Sequence, residues 1–407
     1  MIERFDVAVV GGGPTGLLSA LEASRRGAKV VVFEEDDEVG VPAHCAGLVS
    51  IKGLRALSIK GNYVQGYIRG ARVYSPSGEH LEIKADRNLA YVIDRVEFDK
   101  SIADLALRAG AELRCKAKVD RLMWSKARVS GVKVKERGCG EYYIKSGVII
   151  DAEGARCKVL RRAGMPTPDL ELMYPAVQVE VSEDLDLEDD VVEIYLGSEW
   201  APGFFAWIIP HNEGGRVGLA AKNVALNKML RKFMTRHPIA SRRLRGVKVD
   251  KYMGGTLVLG GPAPITHRAG LIVVGDAAGQ TKPTTGGGVV FGGISAKIAG
   301  EEAARAALEG DERAFKRYEE RWRGLLEGEL LWMKMFRKRL SSMTDGELDF
   351  VIRLSNRLKL DKELTLKGDM DFHFLTARNL MLSLRALPLM SRFLDTIILG
   401  LALKKLR

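Results

Sequence analysis

The chain has 407 residues, 46% hydrophobic and 28% charged, with 44 glycines, 13 prolines and a formal charge of +11. That composition excludes collagen, a disulfide-stapled miniprotein and a disordered chain. The length predicts more than one core, since chains beyond ~250–300 residues divide into domains. No uninterrupted apolar run approaches the ~18 residues of a membrane-spanning helix, and the first ten residues lack the basic, apolar, small-residue order of a secretion signal. Four scattered cysteines (Cys45, Cys115, Cys139, Cys157) form no CxxC pair. Their spacing points to a reducing, cytoplasmic compartment and to no metal site.

In chain order, residues 6–10 are a β-branched run of buried-strand type that enters Gly11-Gly12-Gly13-Pro14-Thr15-Gly16. A helical pattern follows over 17–26, Gly27 stops it, and a second buried strand over 29–33 ends at Glu34. This is a βαβ unit. Residues 65–92 alternate around Ser75-Pro76-Ser77-Gly78 and predict a hairpin; 95–109 predict a helix; 112–148 alternate again with a turn at Gly138-Cys139-Gly140. Residues 174–221 predict antiparallel strands, 271–274 a buried strand, the segment to about 308 a helix, and 311 onward a helical region. Nucleotide-type signals thus recur early, at Asp151 and at Asp276, with strand-rich inserts between them. That order predicts a discontinuous cofactor domain from 1–64, 93–164 and 255–310, an antiparallel-sheet substrate domain from 65–92 and 165–254, and a C-terminal helical region over 311–407.

Gly11-x-Gly13-x-x-Gly16 follows a strand, opens a helix and has an acid, Glu34, at the end of the next strand. Those glycines permit a tight turn, close approach of backbone to a pyrophosphate, and close helix–strand packing. The helix N-terminus supplies amide donors, and the acid accepts from a ribose hydroxyl. A nicotinamide enzyme needs no second distant glycine loop, and this chain has one, Gly275-Asp276-Ala277-Ala278-Gly279 and then Pro283-Thr284-Thr285-Gly286-Gly287-Gly288. Asp276 suits a ribityl or ribose hydroxyl. The triple glycine opens a helix whose amides reach a flavin's pyrimidine edge, and a helix N-terminus there stabilises the charge of the reduced ring. FAD is therefore the expected cofactor.

These residues resemble the FAD signature of the geranylgeranyl reductase family, digeranylgeranylglycerophospholipid reductases among them, within the p-hydroxybenzoate hydroxylase-type flavoproteins. Pro42-x-x-Cys45-x-Gly47 is similar to the family's loop beside the flavin, Asp94-Arg95 to its helix opening, and Asp151-Ala152-Glu153-Gly154 to its Asp-Ala-x-Gly turn. Phe205-x-Trp207-x-Ile209-Pro210, with Gly218 beyond it, resembles the family's aromatic substrate-cavity motif. The likeness covers about residues 1–300. It departs in a loop one residue shorter (Cys-Ala-Gly), in Ile209 where Phe is usual, and in Ala220 where Gly is usual. The resemblance implies an α/β fold: a Rossmann-like, p-hydroxybenzoate hydroxylase-like FAD domain, an antiparallel-sheet substrate domain and a helical C-terminus. It implies cofactor contacts from Gly11, Gly13, Thr15, Gly16, Glu34, Cys45, Ala46, Gly47, Arg95, Val119, Gly154, Asp276, Gly287, Gly288 and Val289. It implies substrate contacts from Phe205, Trp207, Pro210 and Gly218.

The expected activity is saturation of isoprenoid double bonds, with Cys45 as candidate proton donor or as a small residue packed on the flavin. An aromatic monooxygenase and a flavoprotein carrier to quinone are the alternatives. The Trp-x-Trp-x-Ile-Pro order of flavin halogenases is also similar, but its first Trp is Phe205 here. The electron donor is NADPH or ferredoxin; no nucleic-acid partner is expected. Nine Lys and Arg between Lys228 and Lys251 face one acid, Asp250, a patch that suits an anionic surface. The tail from Asp371, with Leu380, Leu384, Leu387, Phe393, Leu394, Ile397, Ile398 and Leu401, predicts an amphipathic segment that lies on a membrane or caps the substrate tunnel.

Overall fold

The computed structural model describes residues 3–182 and 185–381. Its first sheet forms from the β-branched runs. Leu271–Val273, Gly140–Asp151, Glu3–Val10, Val30–Phe33 and Glu112–Arg114 lie side by side and parallel. Covered on both faces, such strands are apolar throughout rather than alternating. Val7 and Val9 pack toward the helices Pro14–Ser24, Arg95–Arg108 and Val289–Glu309. Ala8 and Val10 pack the other way, under the hairpin Ala117–Ser125 and Arg128–Glu136.

The second sheet has seven strands in the order Lys248–Val258, Met173–Ser182, Gly214–Ala220, Ala206–His211, Val191–Tyr195, Gly70–Tyr74, His80–Lys84. It is antiparallel except where Val191–Tyr195 runs parallel to Gly70–Tyr74. The expected hairpin at Ser75–Gly78 therefore forms the last two strands at one end of this sheet, with His80–Lys84 at the edge. The strands that flank it, Val64–Ile68 and Ala90–Ile93, join Leu48–Ser50 in a separate three-stranded sheet that the sequence pattern did not disclose. One face of the large sheet packs on the helix Leu226–Arg236 through Ala206, Ile208, Val217 and Leu219. The opposite face turns toward the cofactor-type sheet.

The C-terminal helices, from Arg313–Trp322 to His373–Met381, wrap back onto the helix Val289–Glu309 and the loop before it. Among the described residues no helix is long and apolar enough to cross a membrane. The amphipathic segment expected beyond residue 381 lies outside the described residues.

Glu329 docks the helix His373–Met381: its Oε1 accepts the Phe374 amide at 2.5 Å. Burial pushes its carboxyl from the ordinary 4.5 up to about 7, against the opposing pull of the Phe374 and Leu375 amides. The folded state thus holds a proton more tightly than the unfolded chain, so stability falls as pH rises from about 4.5 to about 7. At ~1.4 kcal/mol per unit the swing is about 3 kcal/mol. Glu329→Gln keeps the acceptor and removes the charge. It is expected to raise stability at pH 8 by up to about 3 kcal/mol and to flatten that slope, read by denaturant unfolding across pH; an unchanged slope contradicts the assignment.

Candidate functional site

The first glycine loop lies at the C-terminal edge of the parallel strands. Gly11 has φ +96°, and a Cβ there would stand 2.5 Å from the Ala152 carbonyl oxygen. A Cβ on Gly16 would stand 2.0 Å from the Gly11 carbonyl oxygen, so the helix meets the strand with no side chain between them. Gly13 is different: a Cβ there meets nothing within 4 Å. It caps the helix Pro14–Ser24 with Pro14 at its start, and the amides of the first turn have no intrahelical acceptor. This is an open, donor-rich cradle of the size and sign for a pyrophosphate. Glu34 is fixed over the turn, its Oε2 accepting the Gly12 amide at 2.7 Å and its Oε1 the Asp36 amide at 2.9 Å. Burial raises its carboxyl, opposed by those two amides.

Thr15 joins the two loops. A Cβ on Gly275 would lie 3.0 Å from the Thr15 side chain, and one on Gly292 would lie 2.8 Å from its Oγ1. Further along the same contact, a Cβ on Gly300 would stand 2.3 Å from the Ser19 carbonyl oxygen. The helices Pro14–Ser24 and Val289–Glu309 therefore pack backbone to backbone. Their N-termini, some 275 residues apart in the chain, open side by side.

In the second loop Asp276 is partly buried and accepts from Thr281 Oγ1. Burial raises its carboxyl, while Thr281 and Arg95 pull the other way. A Cβ on Gly288 would reach 2.8 Å from Asp276 Oδ1, so only glycine lets the loop close on the acid. Asp151 holds the Glu153 amide at 3.0 Å through Oδ1, while its buried Oδ2 has no partner. Gly154, at φ +75°, opens onto empty space beside it. An orphaned buried oxygen, an open glycine and two bare helix N-termini at one edge of the parallel sheet fit a long, polyhydroxylated dinucleotide. Val119 is buried two residues beyond Ala117, whose amide bonds to the Glu34 carbonyl at 2.8 Å. Val289 is the first residue of the second helix.

The Cys45 loop crosses between the cofactor edge and the large sheet. Cys45 is half-buried; its Sγ accepts the Gly47 amide at 3.3 Å and faces the Arg95 guanidinium, which also grips Asp99 at 2.9 and 3.1 Å. Asp94 caps this helix through the Val96 and Glu97 amides. Gly47 has φ +74°, and a Cβ there would stand 2.1 Å from Arg216 Nη1. Arg216 is the buried bolt of the region. It donates to the carbonyls of Ala46 (3.0 Å) and Ile93 (2.9 Å), to Gln65 (2.5 Å) and to both oxygens of Glu180 (3.1 and 3.2 Å). Sequence reasoning passed over it. The signal was a cation two residues before Gly218, at a position that strand alternation places on the inner face.

That face is apolar and aromatic. Phe205, Trp207 and Ile209 share it with Tyr174, Ala176 and Ala220, and Ala46 and Leu48 of the loop pack against it. Trp207 lies flat because a Cβ on Gly218 would come within 2.5 Å of its ring, and its Nε1 donates to Gln178 at 2.9 Å. Phe205 stacks on Phe204, centroids 4.1 Å apart. Pro210, expected beside these residues, falls one residue out of phase, and the two-residue period assigns it to the other side. The basic run also lies on that other side. Lys232 pairs with Glu199 (3.0 Å) and Arg243 with Glu193 (3.5 Å), whereas Lys228, Arg231, Arg236, Arg242, Arg245, Lys248 and Lys251 are exposed.

Two helix N-termini on a parallel sheet, roofed by an antiparallel sheet, make this an FAD-dependent oxidoreductase of the p-hydroxybenzoate hydroxylase-like fold. The FAD dependent oxidoreductase family model matches residues 6–168. The chain is 34% identical to a digeranylgeranylglycerophospholipid reductase of Methanopyrus kandleri, over 78% of this chain and 82% of that one. It is 32% identical to one of Methanosarcina acetivorans, over 79% and 81%. The chain belongs to the digeranylgeranylglycerophospholipid reductase family. It also superposes on a solved geranylgeranyl bacteriochlorophyll reductase-like protein of Thermoplasma acidophilum with a TM-score of 0.87, at 24% identity, over 98% of this chain and 100% of the other.

Proposed function

We propose that this protein saturates the isolated double bonds of geranylgeranyl chains borne on an archaeal-type glycerophospholipid. One observation carries the reading: the Trp207 face of the large sheet, held flat by Gly218, packs directly against the Cys45–Gly47 loop. FAD, when bound and reduced, supplies hydride. Neither carbon of such an alkene is polarised, so the chain must keep water out and hold a proton near the second carbon. The aromatic face does the first. To Cys45 Sγ we assign the second. This sulfur lies against the Gly47 amide at 3.3 Å and beside the Arg95 guanidinium.

The cofactor seat we assign to Gly11, Gly13, Thr15, Gly16, Glu34, Gly154, Asp276, Gly287 and Gly288. The cofactor domain runs through 1–64, 93–164 and 255–310, the substrate domain through 65–92 and 165–254, with 311–407 as the helical region. Electrons come from a separate donor, NADPH or a ferredoxin. The exposed basic run supports work at the anionic inner face of a membrane.

The test is spectroscopic. Anaerobically photoreduced protein should regain its flavin absorbance on addition of a geranylgeranyl glycerophospholipid, with no oxygen present. A spectrum that stays bleached contradicts the reading. Trp207→Ala should keep full flavin content and lose at least about tenfold in reoxidation rate, the scale of one misplaced alignment step in an active site; an unchanged rate removes Trp207 from the substrate wall.

A further inference from the structure

The second glycine loop carries a buried ion pair that the cofactor seat does not require. Lys282 closes the loop with its backbone: its amide reaches the Gly287 carbonyl at 3.1 Å, and its carbonyl takes the Gly286 amide at 2.8 Å. Its side chain then folds back over the turn. A Cβ on Gly287 would lie 2.9 Å from Lys282 Cε and 3.5 Å from Nζ. The ammonium donates to Asp371 Oδ1 at 2.9 Å and to the Met370 carbonyl at 3.0 Å, and the two side chains are only 8% and 3% exposed. Asp371 also accepts from Ser50 Oγ, the residue that caps the helix after the Cys45 loop. Beside it, His373 Nε2–H donates to the Met370 carbonyl at 2.9 Å, which leaves Nδ1 to accept from Thr284 Oγ1 at 2.7 Å. Burial holds this imidazole down at about 4, so it is neutral and adds no charge. The segment Asp369–His373 of the helical tail is thus pinned to the loop by one full cation and one full anion.

We propose that Lys282 and Asp371 are a matched pair of positioning residues that sets the reduction potential of the flavin. It rests on the placement of the pyrimidine edge at Gly287 and Gly288. Reduction by two electrons and one proton leaves a negative charge on that edge. A lone buried cation beside Gly287 favours the reduced form, a lone buried anion the oxidised form, and in low dielectric neither is screened. Together they nearly cancel. The loop gains the rigidity of an ion pair without a large bias on the potential, and a shift of the tail that loosened Asp371 would make the flavin easier to reduce.

Three variants of the FAD-loaded protein test this, read as reduction potential by equilibration with a redox dye. Asp371→Asn strands the cation and should raise the ratio of reduced to oxidised flavin at fixed poise about tenfold, about 30 mV for a two-electron couple. Lys282→Met strands the anion and should lower it by a similar factor. The double variant should return near the wild-type value, and Lys282→Arg should hold it. Should Lys282→Met fail to fold, Asp371→Asn and the double variant carry the same comparison. Single variants that shift in the same direction, as a purely structural role requires, overturn the proposal. A Gly288→Ala variant separates the two readings. If it loses flavin while Lys282→Met and Asp371→Asn keep the wild-type potential, the charge role falls and the seat stands. If it too keeps flavin and potential, the seat itself falls.

Discussion

Gly16→Ala is expected to yield a folded protein that retains no FAD. The new methyl group would sit 2.0 Å from the Gly11 carbonyl oxygen and 3.3 Å from Ala152 Cβ, and the first of these is backbone that cannot turn aside. Relief requires the helix Pro14–Ser24 to lift off the strand Glu3–Val10. Overpacking of this kind costs about 1–3 kcal/mol. The larger effect is geometric, because lifting the helix withdraws Thr15 from Gly275 and Gly292 and so parts the two loops. The flavin-to-protein absorbance ratio after purification should fall by about tenfold or more, since every ~1.4 kcal/mol of strain charged to the bound state is a tenfold loss of affinity. Gly13→Ala is the contrast. Beyond its chain neighbours no atom lies within 4 Å of that Cβ, so thermal stability of the apoprotein should be unchanged while FAD affinity drops. A Gly16→Ala protein with normal flavin content would show that the helices do not meet as described.

Arg216→Met is expected to be the most destabilising single change at the loop–sheet junction. It strips the carbonyls of Ala46 and Ile93 of a donor and leaves half-buried Glu180 with His211, at 3.3 Å, as its remaining ion-pair partner among the described residues. Removing one member of a buried pair costs about 3–5 kcal/mol. The pH dependence gives an independent check. Burial alone would raise the Glu180 carboxyl, yet His211 and Arg216 hold it below the ordinary carboxylate range. A depressed carboxylate contributes stability that is present above its unfolded pKa and lost as pH falls through its folded value. Arg216→Met should therefore erase that part of the acid limb as well as lowering stability at neutral pH. Wild-type-like unfolding at both pH 7 and pH 4 would contradict the role given to Arg216. Arg216→Lys should recover little, since a single ammonium cannot serve two carbonyls, an amide and a carboxylate fork at once.

Much of this was legible before any fold was drawn. The glycine spacing, its place between strand and helix, and Glu34 are local features, and local features write themselves into sequence. The alternation that puts Phe205 and Trp207 on one face is local as well, although Pro210 was expected beside them and lies one residue out of that phase. What the residues alone did not disclose are contacts between distant segments. The strand Leu48–Ser50 is three residues long and pairs with Ala90–Ile93; nothing within those three residues announces a partner forty positions away. Arg216 binds through Ala46 and Ile93, more than a hundred residues distant. Lys282 meets Asp371 across 89. Thr15 carried a cofactor expectation from its motif, and its packing against Gly275 and Gly292 adds a reason that only the assembled helices supply.

The central claim is that one flavin, seated between two converging helix N-termini, hydrogenates a prenyl chain laid along the Trp207 face. Mass spectrometry of a geranylgeranyl glycerophospholipid, incubated without oxygen with the dithionite-reduced protein, tests it most directly. The account predicts products heavier by two hydrogens for each double bond saturated, formed in step with flavin reoxidation and absent with Trp207→Ala. Recovery of the lipid at its starting mass, from protein that carries its full complement of FAD, would contradict it.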